Sequence, residues 1–354
     1  MKKILHNKRV ILFIAVLYST VSLLIIVKTK SVVKGSLYKE KVEAANIMRN
    51  SMGVIKNRKL EIGLSIDSID INSTGMIGEQ YSPITTTLGS IEAKRTSSNP
   101  DMAALVVHML GQLNIQKGDM VGANFSGSFP SLNIAVLAAC DAMDLDIVYI
   151  CSIGSSNYGA NQIEFTFPDM ANYLVGKGIL STNVTLVTPG GEDDSGSFMD
   201  RQILNNITDR IKGYNIEVLR EPDFNKNIEK RIEIYDENDI DVFISVGGNI
   251  TSMGIDDYSE PIKEGIVDTV DKVSEKSGLI EIYSHRGVPT INLLNMKGLT
   301  KKYGLPYDPI GFGQIGEGPI YHEVEYNKGL IIFSIGIIFI LLIYVKRRTD
   351  AYEE

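Results

Sequence analysis

The sequence has 354 residues and carries 35 lysines and arginines against 43 aspartates and glutamates, a formal net charge of −8. This acidic balance excludes bulk electrostatic attraction as a basis for binding nucleic acid. The length suits one large domain or two small ones.

Apolar runs lie near both ends of the chain, Val10 to Val27 and Leu330 to Val345. Each is near the lower length limit for crossing a hydrocarbon core about 30 Å thick. The residues after the first run show no small-residue cleavage pattern, which favours an uncleaved anchor over a signal peptide. Because the cations Lys346 to Arg348 follow the second run, the positive-inside rule predicts that both termini are cytoplasmic. The region between the runs would then lie outside the cytoplasmic membrane.

The segment from Ser36 to Lys59 has apolar residues at helical spacing and predicts a juxtamembrane helix. Its cations could lie on lipid headgroups, or the helix could simply pack against the domain. The polar segment from Glu79 to Gly89 could lie over a site or form a plain surface loop. A helix is predicted from Asn99 to about Asn114, because Asn is a favourable N-cap and Pro100 suits a first turn.

The stretch from Asp119 to Asn161 reads as strand, turn, helix, strand and turn. Met120 to Phe125 is an apolar run that stops at Ser126-Gly127-Ser128, and Pro130 opens the helix. Ile147 to Ile150 is the second run, which stops at Ser152 to Ser156. Parallel strands joined by a helix form a βαβ unit, whose loops at the carboxyl ends of the strands bind ligands in open sheets.

Strands and helices continue to alternate after this unit. Further strands are predicted at 184–187, 216–219, 241–246 and 290–294, with helices at 168–176, 198–212, 225–237 and 278–286. This alternation predicts an α/β fold with a mainly parallel, doubly wound sheet and helices on both faces. The predicted organisation is a membrane span at 10–27, a juxtamembrane helix at 36–59, an exterior α/β domain at 60–302, a Gly/Pro-rich return segment at 303–328 and a second span at 330–345.

Four strands end in turns rich in Gly and Ser, which would gather on one edge of a parallel sheet. Glycine allows close backbone approach, and helix amino termini offer free N–H groups, so the edge suits a carboxylate, a phosphate or an oxyanion. The alternative is that such turns merely connect the elements. The predicted ligand-binding residues are Gly127, Ser155, Ser156, Gly190, Gly191, Gly247, Gly248 and Asn249.

A sharper hypothesis makes Ser126 or Ser128 a catalytic nucleophile, since both lie on a tight turn between strand and helix. The G-x-S-x-G pattern of a nucleophile elbow is not met, and Ser128 could instead be the N-cap of the following helix. A nucleophilic serine needs a base. The candidates are His285 and His322, with Asp193, Asp194 or Asp256 behind them.

The sequence points to no cofactor and no metal. It has no Walker A motif and no G-x-G-x-x-G fingerprint. Glu192 to Asp194 could bind a cation, but acidic residues just before a helix also complement its dipole. Cys140 and Cys151 are predicted to be buried, unpaired thiols, since a helix-to-strand separation exceeds the reach of a disulfide.

Several of these motifs in combination resemble the bacterial poly-gamma-glutamate system proteins. They are the segments Ser126–Asn133, Ser155–Asn161, Phe165–Met170, Gly247–Asn249, Gly287–Asn295 and Gly304–Ile310, together with the uncleaved amino-terminal helix. The resemblance implies that the protein serves the membrane components that synthesise and export poly-gamma-glutamate. It implies no catalytic residue.

Three functions follow as hypotheses. The first is an accessory module that binds the polymer or a partner subunit through the Gly/Ser turns. The second is a Ser-dependent hydrolase or transferase acting on gamma-glutamyl amide bonds. The third is a purely structural membrane subunit. A serine beside a base in the pocket favours the enzyme, and N–H donors without a base favour binding.

Overall fold

A computed structural model of the chain describes residues 8–255 and 262–350. The chain divides into two compact units, one of Ser36–Tyr321 and one of Met1–Gly35 with His322–Glu354. The described helices are α1 Lys8–Lys28, α2 Tyr38–Glu61, α3 Ile91–Ser97, α4 Asp101–Gln112, α5 Pro130–Ala142, α6 Phe167–Gly176, α7 Arg201–Lys212, α8 Phe224–Asp236, α9 Ile250–Met253, α10 Leu279–His285, α11 Met296–Tyr303 and α12 Lys328–Asp350. The described strands are β1 Ser31–Lys34, β2 Met120–Phe125, β3 Asp146–Ser152, β4 Leu186–Thr188, β5 Glu217–Val218, β6 Val242–Val246, β7 Gly265–Ile266, β8 Thr290–Leu293 and β9 His322–Glu325.

The unit formed by the chain ends is a pair of long helices with a two-stranded ribbon. Strands β1 and β9 pair antiparallel, with Ser31 opposite Glu325, and helices α1 and α12 contact each other. Ser22 and Ser334 are among the few polar side chains buried in these helices. By length and composition both helices are apolar enough to cross a membrane. The two predicted spans are therefore present as helices.

The larger unit is built on a seven-stranded sheet in the order β5-β4-β3-β2-β6-β8-β7. All neighbours are parallel except β7, which pairs antiparallel with β8. The chain builds outward from β2 through β3, β4 and β5, and then returns to place β6 on the other side of β2. The order therefore reverses between β2 and β6. The predicted α/β class with a mainly parallel sheet is confirmed.

Side chains that alternate along each strand enter two separate cores, one on each face of the sheet. On one face, Val121 and Phe125 of β2 pack with residues of α2, α4 and α5. On the other, Phe243 of β6 packs with Tyr235 of α8 and Tyr283 of α10. These two apolar layers hold the carboxyl ends of the strands in fixed register.

Helix α2 confirms the predicted helix at 36–59, and it is a packing helix of the larger unit. Its residues Ala44, Met48 and Ile55 are fully buried against α4 and α5. The side chains of Lys41 and Lys59 are also buried, so these two cations are not available to lipid headgroups.

Cys140 and Cys151 are both free and fully buried, as predicted. Burial in apolar surroundings raises the pKa of each thiol well above its usual value. Neither cysteine is therefore a reactive thiolate.

Candidate functional site

A pocket of about 460 Å³ lies at the carboxyl edge of the sheet, where the strand order reverses between β2 and β6. In open α/β sheets this is the position at which ligands bind. All four predicted Gly/Ser turns contribute to its lining. The predicted residues that line it are Ser126, Ser128, Ser156, Gly190, Gly191, Gly248 and Asn249.

Three other predicted residues form the frame of the pocket rather than its lining. A Cβ atom on Gly127 would lie 2.7 Å from the carbonyl oxygen of Gly154, which leaves no space for a side chain. Gly247 has a φ of +85° and packs against Ser126. The Ser155 hydroxyl is buried and donates to the carbonyl oxygen of Ser156 at 2.8 Å. These residues fix the turns without facing a ligand.

The serines of the first turn, Ser126 and Ser128 after β2, form hydrogen bonds with backbone N–H groups. Ser126 Oγ accepts a hydrogen bond from the N–H of Ser128 at 3.2 Å. Ser128 Oγ accepts one from the N–H of Ser156 at 2.9 Å, which connects the first turn to the second turn, residues 152–156 after β3. The suggestion that Ser128 caps the helix is wrong, because the N-cap position of α5 is Phe129 and has no side-chain cap.

His285 does not serve as the base for these serines. It is the last residue of α10, its side chain is exposed, and its Nδ1 lies 2.9 Å from the carbonyl oxygen of Val270. The chain passes from α10 into the amino end of β8, whereas the pocket lies at the carboxyl ends of the strands. The catalytic role predicted for His285 is therefore wrong. His322 belongs to the other compact unit, and Asp256 lies outside the described residues.

The residue that sequence reasoning missed is Lys94, on the short helix α3. Its ammonium nitrogen lies 2.8 Å from Ser156 Oγ, contacts the carbonyl oxygen of Ser128, and sits 3.6 Å from the centre of the Phe129 ring. The side chain is 2% exposed and pairs with no carboxylate among the described residues. Burial disfavours the charged form and lowers the pKa of Lys94 to about 7.

The segment before α3 covers part of the pocket. Thr86, Thr87, Leu88 and Gly89 all line it. The N–H of Thr86 donates to the carbonyl oxygen of Ser155 at 2.8 Å, which docks the segment onto the second turn. The structure therefore favours the interpretation that residues 79–89 lie over a site.

Several backbone N–H groups in the pocket are available to a ligand. Gly191 follows β4, and Gly248 and Asn249 follow β6. Within the described part of the chain, the N–H groups of these three residues donate to no acceptor. A set of unpaired N–H groups in a concave site favours an anionic group.

A buried ionic network underlies the pocket. Arg231 of α8 and Asp194 are 2% and 4% exposed, and their nearest atoms are 2.5 Å apart. Arg231 also donates to Asn124 of β2, and Asn124 donates to the side chain of Asn249 at 3.0 Å. Asp194 is thus ion-paired with Arg231 rather than placed to bind a metal cation. The network joins β2 to the segments that follow β4 and β6.

Comparisons with known proteins leave the family open. No protein-family model and no curated protein matches the chain. Among solved structures, a multiple substrate aminotransferase from Thermococcus profundus aligns at 14% identity with a TM-score of 0.18, over 86% of this chain and 61% of that one. The chain thus spans less than two thirds of that enzyme, and a likeness at this level carries no argument about fold or activity.

Proposed function

We propose that this chain is a membrane-anchored accessory protein of a bacterial poly-gamma-glutamate synthesis or export system. Its α/β domain holds a carboxylate-bearing segment of the polymer in the pocket at the strand reversal. The observation that carries the proposal is the set of unpaired N–H groups on Gly191, Gly248 and Asn249. The polymer itself is suggested by the sequence resemblance.

The pocket has the size and chemistry for such a ligand. Its volume of about 460 Å³ is in the range of small-molecule sites. The N–H groups can donate hydrogen bonds to a carboxylate. Among the described residues that line the pocket, the acidic side chain is Glu192, which is exposed. Because the chain as a whole is acidic, recognition of a polyanion has to be local.

The membrane arrangement is part of the same proposal. Helices α1 and α12 anchor the protein in the cytoplasmic membrane, both termini are cytoplasmic, and the doubly wound domain faces outward. The support is the cation cluster from Lys346 to Arg348 beside the second apolar span. In this position the domain can meet the polymer as it leaves the membrane, and its partners are the synthase and export components.

Cysteine labelling of intact cells tests this topology. Both native thiols are fully buried, so the background reaction is low. A cysteine in place of the exposed Asn57 should react with a membrane-impermeant maleimide, and one in place of Glu353 should react only after lysis. The reverse pattern would refute an outward-facing domain.

Substitution of Gly248 tests the pocket. A Cβ atom at this position would lie 3.5 Å from the Leu294 side chain, an ordinary contact, so Gly248→Ala fits the fold. The added methyl group lies beside the proposed carboxylate site. Affinity of the full chain in detergent for gamma-glutamyl oligomers, measured by calorimetry, should fall at least tenfold.

Gly176→Ala is the matched control, because a Cβ atom there meets nothing within 4 Å. It should bind like the parent chain. Gly127→Val is unsuitable as a test, since a side chain at Gly127 collides with the backbone of the second turn. If the parent chain binds no gamma-glutamyl oligomer, the binding function fails and a purely structural subunit takes its place.

A further inference from the structure

We propose that Ser156 and Lys94 form a nucleophile–base pair that cleaves or transfers an amide bond of the chain held in the pocket. This inference rests on the proposed function for its ligand, and it adds a reaction to the binding. In this proposal the nucleophile is Ser156 of the second turn rather than a serine of the first turn, and the base is a lysine rather than a histidine.

The geometry singles out Ser156 among the serines of the pocket. Its hydroxyl lies 2.8 Å from the Lys94 nitrogen, within reach for direct proton transfer. The hydroxyls of Ser126 and Ser128 instead accept hydrogen bonds from backbone N–H groups. Within the described part of the pocket, Ser156 is thus the hydroxyl that lies beside a basic side chain.

The surroundings of Lys94 suit a general base. It is held by the Phe129 ring on one side and by the carbonyl oxygen of Ser128 on another, and it is paired with no carboxylate among the described residues. An acidic partner would keep the ammonium protonated and useless as a base. Since burial lowers its pKa to about 7, a large fraction is neutral near neutral pH.

The reaction balances without any further reagent. Neutral Lys94 takes the proton of the Ser156 hydroxyl while Oγ bonds to the amide carbonyl carbon. The C–N bond then breaks, and the Lys94 ammonium returns the proton to the leaving amine. The resulting ester on Ser156 is resolved by water, which gives hydrolysis, or by a second amine, which gives transfer. Either acceptor gives a proton to Lys94 as it attacks the ester carbonyl carbon, and Lys94 passes that proton to Ser156 Oγ as the ester C–O bond breaks, which restores the pair.

The pocket can also stabilise the intermediate. Attack on the carbonyl places a negative charge on its oxygen, and such an oxyanion is best held by preorganised N–H donors. Gly191, Gly248 and Asn249 supply unpaired N–H groups in the same pocket.

Covalent labelling tests the pair directly. The full chain in detergent is treated with a fluorophosphonate probe, which modifies activated serines, and the modified peptide is found by mass spectrometry. Label is expected on Ser156. The rate of labelling should rise about tenfold per pH unit below pH 7 and level off above it, because the base acts in its neutral form. Label on Ser126 or Ser128, or no label at all, overturns the assignment.

Turnover of gamma-glutamyl oligomers provides the second measurement. Ser156→Ala should lose at least a thousandfold in turnover while retaining oligomer binding within a few fold. Lys94→Arg should lose as much, since a guanidinium does not give up its proton near neutral pH. Ser181→Ala, on the surface away from the pocket, is the control and should retain turnover within twofold.

The outcomes separate this inference from the function on which it rests. Binding without turnover in the parent chain refutes the reaction and leaves the binding function standing. Turnover that survives in folded Ser156→Ala refutes the role of Ser156. Absence of both binding and turnover refutes both proposals.

Discussion

The two faces of the central sheet differ in what their strands contribute. On the face covered by α2, α4 and α5, the inward residues of β2, β3, β6 and β8 are apolar along their whole length. On the other face, the last inward residue of five strands is polar. These polar residues are Asn124, Ser152, Thr188, Ser245 and Asn292, all of them buried.

The difference shows which face of the sheet supports the site. The first face needs only good packing, which many apolar residues can supply. The second face changes character directly below the pocket, where Arg231 and Asp194 join the polar band. Buried polar groups lower stability unless they are paired. We infer that this band is retained to hold the turns of the site in position.

The largest expected effect comes from breaking the ion pair of the second face. Arg231→Met leaves Asp194 as a buried charge without its partner, and the free energy of unfolding should fall by about 3–5 kcal/mol. Arg286→Met is the control, since the Arg286–Asp236 pair is about half exposed and should cost no more than about 1 kcal/mol. Chemical unfolding of both variants in detergent measures the difference. Equal effects would show that the buried network contributes nothing special.

Truncation on the first face should cost nearly as much for a different reason. Ile244 of β6 is fully buried in the apolar layer. Ile244→Ala removes its contacts and leaves a cavity, so stability should fall by about 2–5 kcal/mol. The loss should be the same at pH 5 and pH 8, because no ionisable group is removed. A pH-dependent loss would mean that the first face also depends on charge.

Lys59 of α2 is a buried charged residue in the otherwise apolar layer on the first face, and its ammonium has no hydrogen-bond partner among the described residues. Burial lowers its pKa to about 8, from 10.5 in the unfolded chain, with Asp70 and Glu79 partly opposing the shift. The unfolded state therefore binds more protons between about pH 8 and 10.5, and stability rises with pH across that window.

Below about pH 8 the cost of burying charged Lys59 is fully present. Lys59→Met should therefore stabilise the protein at pH 7 by an amount on the order of 2 kcal/mol, and the gain should vanish near pH 10.5. Lys56→Met, which removes the lysine that bonds Ser73 at 2.8 Å, is the control on the same helix. Thermal unfolding at several pH values measures both. A gain that does not change with pH would contradict the desolvation argument.

The smallest effect is expected at Ser245, the neighbour of Ile244 on the opposite face. Its hydroxyl is fully buried and has no partner among the described residues. Removal of an unsatisfied hydroxyl costs no hydrogen bond, so Ser245→Ala should change stability by less than about 1 kcal/mol in either direction. A loss as large as that of Ile244→Ala would reveal a bound water or another partner at this hydroxyl.

The sequence predicts the sheet and the position of the pocket because local rules govern both. Apolar runs such as Met120 to Phe125 end where Gly and Ser begin, and parallel strands bring such ends to one edge. Pro130 and Pro168 mark helix starts for a local reason as well. These features depend on residues that are close together in the chain, so they can be predicted from the sequence.

The residues that give the site its chemistry depend on tertiary contacts. Lys94 lies on a seven-residue helix after an irregular segment, and no periodicity marks it as buried. Arg231 lies on a helix that reads as charged, although its spacing from Ile228 and Tyr235 places it on the buried face. His285 attracted attention as a possible base only through its residue type. Its position away from the pocket, which cannot be read from the sequence, excludes it as the base.

The outer strands of the seven-stranded sheet bear on how copies of the chain can associate. Strands β5 and β7 are each two residues long. An edge this short offers another copy of the chain almost no row of free N–H and carbonyl groups to extend. In the proposed membrane arrangement, copies of the chain would be concentrated in two dimensions, where edge-to-edge strand addition can start aggregates. The short edges keep neighbouring copies from polymerising through their sheets.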